Sequence, residues 1–190
     1  MKKKYLIKIP KNILVIYNSK KNIITFIGGS TPTQIKSLKL HLNILIKNNL
    51  NVIEITNKPF KKSQINKTQI KAYQGTTTAL IKQVLLETSS VIFNKLKVVG
   101  VGYRFLTVDG FDNKLFMFKL GYSHPLYYKI TDELKIFNLK STKLFIYGNS
   151  YQNVSQAASL IRSYKKPEPY KGKGILFNSE KIILKEGKKV

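Results

Sequence analysis

Cysteine is absent from the 190 residues, which excludes a disulfide framework, thiolate chemistry and a cysteine-based zinc site. Imidazoles are almost absent too, with His41 and His124 the only ones. Acids are few, nine against 34 lysines and arginines, and they are scattered as Glu54, Glu87, Asp109, Asp112, Asp132, Glu133, Glu168, Glu180 and Glu186. That scatter offers no carboxylate cluster for a pair of metal ions, which weighs against the alternative of a nuclease or RNA-modifying enzyme. Asp132 and Glu133 are adjacent, so on a strand they point to opposite faces and make no catalytic pair. No apolar run approaches the ~18 residues that cross a bilayer. The start, Met1 to Pro10, has too short an apolar stretch for a secretory signal and lacks the Ser- and Arg-rich composition of a transit peptide.

What is present is charge and a core. The chain is 43% hydrophobic, enough to bury one large domain or two small ones. Its formal net charge is +25, and a compact body so charged repels itself unless a polyanion neutralises it. The basic residues are nearly all lysine and gather at Lys2–Lys4, Lys58–Lys62, Lys165–Lys173 and Lys181–Lys189, in loops or tails rather than on helix faces. A charge run is commonly just a solvated face. Lysines in loops, however, reach phosphates as point charges, a pattern suited to tracking a nucleic-acid backbone rather than reading bases. Neither helical segment, Gln69–Phe93 or the one that follows Gly148, has a lysine-rich face opposite bulky apolar residues, which argues against a membrane-surface role.

Hydrophobic periodicity divides the chain into two similar halves. In the first, Asn12–Tyr17 and Asn22–Ile27 form a hairpin around Asn18–Lys21. Leu38, Leu40, Leu42 and Ile44 alternate at period two as one half-buried strand, and Val52–Ile55 is a further strand. From Gln69 to Phe93 the period becomes helical, with Ile70, Tyr73, Thr77, Leu80, Ile81, Val84, Leu85 and Val91 as the apolar stripe. Gly75 and Thr76–Thr78 weaken that helix's propensity, so packing must hold it. In the second half, Lys95–Val108 reads as a buried strand whose hairpin partner is Leu115–Leu120 across a turn at Asp109–Lys114. Strands at Leu126–Ile130, Leu134–Leu139 and Lys143–Tyr147 follow. A helix capped by Asn149 or Ser150 then buries Val154, Ala157 or Ala158, Ile161 and Tyr164, and ends at Lys166 before Pro167. The expected fold is α+β: two tandem copies of a small, antiparallel-rich sheet packed by one helix, over 1–94 and 95–166, followed by an extended basic arm over 167–190.

Within the arm, Pro167 and Pro169 forbid helix, Gly172 and Gly174 permit close backbone approach, and Tyr170 offers a ring for stacking on a base or sugar. A Pro-punctuated, solvated linker is the plainer alternative. Gly172-Lys173 is no phosphate-binding Walker loop, since Gly174 follows where Ser or Thr is required. Gly100-Val-Gly-Tyr-Arg104 lacks the third glycine of a dinucleotide fingerprint, so its glycines mark a bulge or a close backbone approach. His124 has no nucleophile or orienting partner in sight and is read as a turn residue or an RNA-facing one.

Three segments in this order, Val98-Val-Gly-Val-Gly-Tyr-Arg104, Leu120-Gly-Tyr-Ser-His-Pro125 and Lys166-Pro-Glu-Pro-Tyr-Lys-Gly-Lys-Gly174, resemble the family of large-subunit ribosomal protein six. The resemblance covers about Ile13 to Lys189 and is densest from Lys95 onward. It implies two tandem α+β RNA-binding units, contact with large-subunit rRNA near the translation-factor-binding and sarcin–ricin region, neighbouring ribosomal proteins as partners, and no cofactor or small-molecule substrate. By motif match, Tyr103, Arg104, His124, Tyr170, Lys171, Gly172, Lys173 and Gly174 inherit the rRNA contacts, joined by Lys165 and Lys166. Those two lysines stand where the bacterial pattern has arginines, and Leu176 stands where it often has Arg, which removes one phosphate contact. The Lys58–Gln69 loop matches poorly. The Lys, Asn and Ile bias suits an organelle-encoded protein of a mitochondrial ribosome; a plastid or an AT-rich bacterium would leave the same trace.

Overall fold

The structure, a computed structural model, describes residues 5–28, 34–47, 51–59, 66–108, 110 and 114–187. Lys2–Lys4, residues 60–65 of the Lys58–Gln69 loop, the Asp109 and Asp112 turn residues and Lys188–Lys189 therefore lie outside the described residues. The chain separates into two compact units, Met1–Ser90 and Val91–Val190.

The first unit has strands β1 (Leu6–Lys8), β2 (Ile13–Asn18), β3 (Ile23–Gly28), β4 (Gln34–Lys39), β5 (Leu42–Lys47) and β6 (Val52–Pro59), then helix α1 (Lys67–Ser89). They form two antiparallel three-stranded sheets, β2-β3-β4 and β1-β6-β5, where the sequence pattern predicts one. The expected hairpin is β2-β3, with Tyr17 opposite Ile24. The single strand expected over Leu38–Ile44 breaks at Leu40–His41, where the chain passes from one sheet to the other. Asn22 makes that break possible. It is fully buried, in the left-handed region at φ 52°, and its Nδ2 donates to the Leu40 carbonyl at 2.9 Å and the Leu42 carbonyl at 3.1 Å. Carbonyls that leave the ladder at the bend thus keep partners, as buried backbone groups must.

Helix α1 packs on β6, β3 and β4 with a face that is more polar than its apolar stripe suggests. Gln74, Thr77, Thr78 and Thr88 are buried with Ile81 and Leu85, while Tyr73, Leu80 and Leu86 are exposed. Threonine suits a buried helix face because its hydroxyl bonds the carbonyl one turn back and turns a methyl outward. Thr77 donates to the Tyr73 carbonyl at 2.7 Å, and Thr88 to that of Val84 at 2.9 Å. The helix ends at Ser89, earlier than its apolar spacing predicts, and the β-prone Val91-Ile92-Phe93 opens the next strand instead.

The second unit comprises β7 (Ile92–Val99), β8 (Arg104–Thr107), β9 (Leu115–Lys119), β10 (Leu126–Lys129), β11 (Leu134–Lys140), β12 (Lys143–Gly148), α2 (Tyr151–Ser163) and β13 (Gly174–Phe177). The strand expected over Lys95–Val108 is interrupted by a turn at Gly100–Gly102, whose glycines have φ 149° and 74°. Two antiparallel sheets result, β10-β9-β8 and β11-β12-β7-β13. Their core contains Leu96, Phe105, Phe116, Phe118, Leu144 and Ile146, against which α2 sets Val154, Ala157, Ala158 and Ile161. Burying one such large side chain contributes roughly 1.5–3 kcal/mol, so this cluster is the unit's main source of stability.

Residues 167–187 belong to this unit in three distinct parts. Residues 167–173 turn back on themselves, Gly174–Phe177 adds to the sheet beside β7, and the tail returns so that the Lys185 amide donates to the Pro169 carbonyl at 2.9 Å. The prolines forbid a helix here, but their fixed φ suits a turn as well as an extended chain.

Candidate nucleic-acid interface

Three short segments of the second unit carry the residues singled out from sequence. The first is the turn joining β7 to β8. The Tyr103 ring lies against two glycines: a Cβ on Gly100 would come within 2.6 Å of it, and one on Gly121 within 2.8 Å. Both glycines are therefore required by an internal close approach, and Gly121 also needs its φ of 75°. The ring is half-buried against the core, so Tyr103 fixes the β7–β8 turn onto the loop after β9. Arg104 follows it at the start of β8, exposed and opposite Lys119.

The second segment is that loop, Gly121–Pro125. Tyr122 donates its hydroxyl to the Tyr164 carbonyl at 3.0 Å, tying the loop to the end of α2. The same ring has the Lys165 ammonium 4.3 Å from its centroid and the His124 ring near-parallel at 6.4 Å. An ammonium held over an aromatic face gains cation–π attraction, so Lys165 is positioned rather than free to sweep solvent. His124 and Tyr122 are both exposed at this spot. Beneath them, burial pushes the Tyr164 phenol above its usual range, and Tyr164 meets Phe118 edge-on at 5.7 Å.

The third segment is the 166–173 loop. The Glu168 amide donates to the Lys173 carbonyl at 2.8 Å and the Gly172 amide to the Glu168 carbonyl at 2.9 Å, closing it. Gly172 has φ 67°, a left-handed turn position. Tyr170 stands 53% exposed, with Lys166 and Lys171 exposed and Lys173 half-buried. Gly174 is used differently from the reading as a point of approach for a partner: it is buried, and a Cβ there would meet the Pro167 Cα at 2.7 Å and the Lys166 carbonyl at 2.8 Å. Its missing side chain lets the two ends of the loop touch. Leu176, where an arginine is common, is only 4% exposed, and packs within the protein.

One base of this region is engaged inside the protein. Arg162, on the last turn of α2, gives Glu180 two hydrogen bonds, Nε to Oε2 at 3.0 Å and a second from Nη2 to Oε1. Glu180 Oε2 also accepts the Phe177 amide at 3.1 Å, and the guanidinium lies 5.7 Å from the Phe177 ring centroid. Those bonds hold the Glu180 carboxyl below its usual range, chiefly through Arg162. The clamp fixes the start of the tail to α2, and no sequence signal links two residues so far apart.

The structure thus brings His124 and Lys165 together around Tyr122, sets Tyr103 against the same loop, and closes Lys166–Gly174 into a second presented loop that Ile175 joins to the Lys165 carbonyl at 2.9 Å. Tyr122 was legible only as a neighbour of His124 in the Gly-Tyr-Ser-His-Pro run. Among the described residues no group of three His, Asp or Glu is gathered to hold a metal ion. The family model described as ribosomal protein L6 matches residues 99–178, which contain all three segments. The large ribosomal subunit protein uL6 of Mycoplasma capricolum is 37% identical over 96% of this chain and 94% of its own length. The large ribosomal subunit protein uL6m of Reclinomonas americana is 33% identical over 96% and 95%. The large ribosomal subunit protein uL6 of Rhodopseudomonas palustris is 41% identical over 67% of this chain and 70% of its own length.

Proposed function

The chain belongs to the ribosomal protein L6 family, whose members are structural ribosomal components and not enzymes, and on that premise we propose that it is a structural protein of the large ribosomal subunit that binds large-subunit rRNA through the end of its second unit. The observation that carries this reading is the convergence of an ordered ammonium, an exposed imidazole and an exposed phenol ring at Lys165, His124 and Tyr122, next in sequence to the closed basic loop 166–173. A ring and a fixed cation side by side offer a sugar or base a stacking face and its phosphate a countercharge.

In this assignment Arg104, His124, Lys165, Lys166, Tyr170, Lys171 and Lys173 touch RNA, the Gly172 backbone comes close to it, and Tyr103 and Gly174 shape the surface. The rRNA in question is the translation-factor-binding and sarcin–ricin region, as the family resemblance implies. The lysine-, asparagine- and isoleucine-rich composition and the uL6m relative support a mitochondrial ribosome.

Filter binding of the full chain to large-subunit rRNA across a salt series tests the assignment. Each phosphate neutralised lowers the slope of log affinity against log salt by about 0.7–0.9. Lys171→Ala with Lys173→Ala should weaken binding to many sequences alike and reduce the slope by roughly one per lysine. Affinity that stays flat with salt overturns RNA-backbone binding. Co-sedimentation with large subunits of isolated mitochondria, lost in high salt, is the expected cellular result; sedimentation clear of them would refute the localisation.

A further inference from the structure

The sheet β11-β12-β7-β13 has two faces, and only one of them is covered by α2 and the core. Strand alternation assigns Leu134, Ile136, Leu144, Ile146, Leu96 and Val98 to the covered face. The opposite face holds Phe137, Phe145, Tyr147 and Phe93, brought side by side by the register Phe137 to Phe145, Phe145 to Lys95 and Tyr147 to Phe93. The rings form a continuous row. Centroids of Phe93 and Phe145 are 5.2 Å apart, of Phe145 and Tyr147 5.9 Å, and of Tyr147 and Phe137 5.5 Å. Phe93 and Phe137, at its ends, are 53% and 52% exposed.

Charge on this face has one sign. Lys95, Lys97, Lys135 and Lys143 alternate with the rings, and none of the four strands contains an Asp or a Glu. The Lys95 ammonium lies 5.5 Å from the Phe93 centroid and 5.8 Å from that of Phe145. Glu180, beyond the β13 edge, is close enough to feel Lys97 but is already paired with Arg162, and Glu133, just before β11, accepts from Asn153 of α2.

We propose that this sheet face is a second nucleic-acid surface, which stacks the unpaired bases of a single-stranded RNA segment on Phe93, Phe145, Tyr147 and Phe137 while the interleaved lysines neutralise its phosphates. Exposed rings in a sheet cost solvation unless something covers them, and the all-lysine surround selects a polyanion over an apolar or basic protein surface. A stack of bases offers planar apolar area and negative charge at the spacing of a strand, which is what this face complements. The surface is separate from the Tyr122–Lys165 cluster and the 166–173 loop, and its test does not depend on them.

The full chain is titrated into a short single-stranded oligoribonucleotide containing 2-aminopurine, whose fluorescence reports stacking. Binding with quenching is expected. Phe93→Ala with Phe137→Ala, both at exposed positions, should weaken it by roughly five- to 150-fold per ring, the equivalent of about 1–3 kcal/mol of stacking each. Thermal unfolding should be unchanged. Phe137→Tyr should keep affinity and Phe137→Leu should lose it, because leucine retains apolar area but has no π face. Because the two surfaces are separate, Lys171→Ala with Lys173→Ala should weaken oligonucleotide binding by the same factor in wild type and in the double phenylalanine variant. Undiminished affinity in the double phenylalanine variant, or equal affinity of Phe137→Leu and wild type, overturns the proposal.

Discussion

Removing the Glu180 carboxylate should loosen the C-terminal part of the second unit by an amount set by its position. Glu180 receives two hydrogen bonds from Arg162 and one from the Phe177 amide. The Arg162 and Glu180 side chains are 28% and 22% exposed, intermediate between surface pairs worth ~0–1 kcal/mol and buried pairs whose breakage costs about 3–5 kcal/mol. Glu180→Ala should therefore cost about 2 kcal/mol, which for a unit of this size lowers its unfolding midpoint by roughly 8–16 °C. The sign of the pH dependence follows from the charge. Because Arg162 holds the Glu180 carboxyl below its usual range, the folded chain gives up this proton more readily than the unfolded one. The contribution is complete above the ordinary carboxyl range and is lost as pH falls through the lowered value. Thermal unfolding of wild type and variant between neutral and acid pH measures this: the two curves should converge at the acid end. Hydrogen exchange should locate the loss at the Ile175 and Asn178 amides, which bond Lys165 and Lys95. Unchanged midpoints at neutral pH, or a constant difference down to acid pH, would refute the role given to the clamp.

Gly121→Ala should destabilise the second unit by about 1–3 kcal/mol in denaturant unfolding, since the new methyl meets the Tyr103 ring and the backbone stays at positive φ. If Gly121→Ala is recovered by Tyr103→Leu, the clash with the ring is the cause. Gly174→Ala, whose Cβ meets backbone rather than a movable side chain, should open the 166–173 loop and raise protease cleavage at Lys171 and Lys173. In the first unit, Asn22→Asp should cost more than Asn22→Ala, because it presents a carboxylate to the Leu40 and Leu42 carbonyls in place of a donor. A wild-type midpoint for Asn22→Ala would show that the Asn22 amide does not hold the bend.

Period-two alternation reports which side of the chain is buried, and it does so faithfully where strands change sheets. Leu38, Leu40, Leu42 and Ile44 keep their alternation through the Leu40–His41 break, so sequence reveals the burial and hides the break. The break depends on Asn22, 18 residues earlier than Leu40, and a buried polar partner at that distance has no periodic signal. Gly100 and Gly102 are the opposite case, because their spacing advertises a departure from strand geometry, and the chain turns there. Helix α1 is legible as a helix by its period but not by its face. Threonines satisfied within the helix let a polar row pack inward, and the more apolar Leu80 and Leu86 remain outside.

The site residues differ in what their chemistry reveals before folding. A lysine's charge is legible at once, whereas its availability is not: Lys165 is fixed over Tyr122, and Arg162, with the geometry best suited to phosphate, is occupied by Glu180. The glycines of Lys-Gly-Lys-Gly are likewise ambiguous in sequence, since close approach by an external backbone and close approach by the chain itself make the same demand. Gly174 meets it internally and Gly172 meets it by backbone conformation, which leaves Lys171 and Tyr170 on a loop closed before any partner arrives. A loop already closed loses less conformational freedom on binding than a flexible arm would, so its lysines hold more of their attraction for phosphate as net affinity.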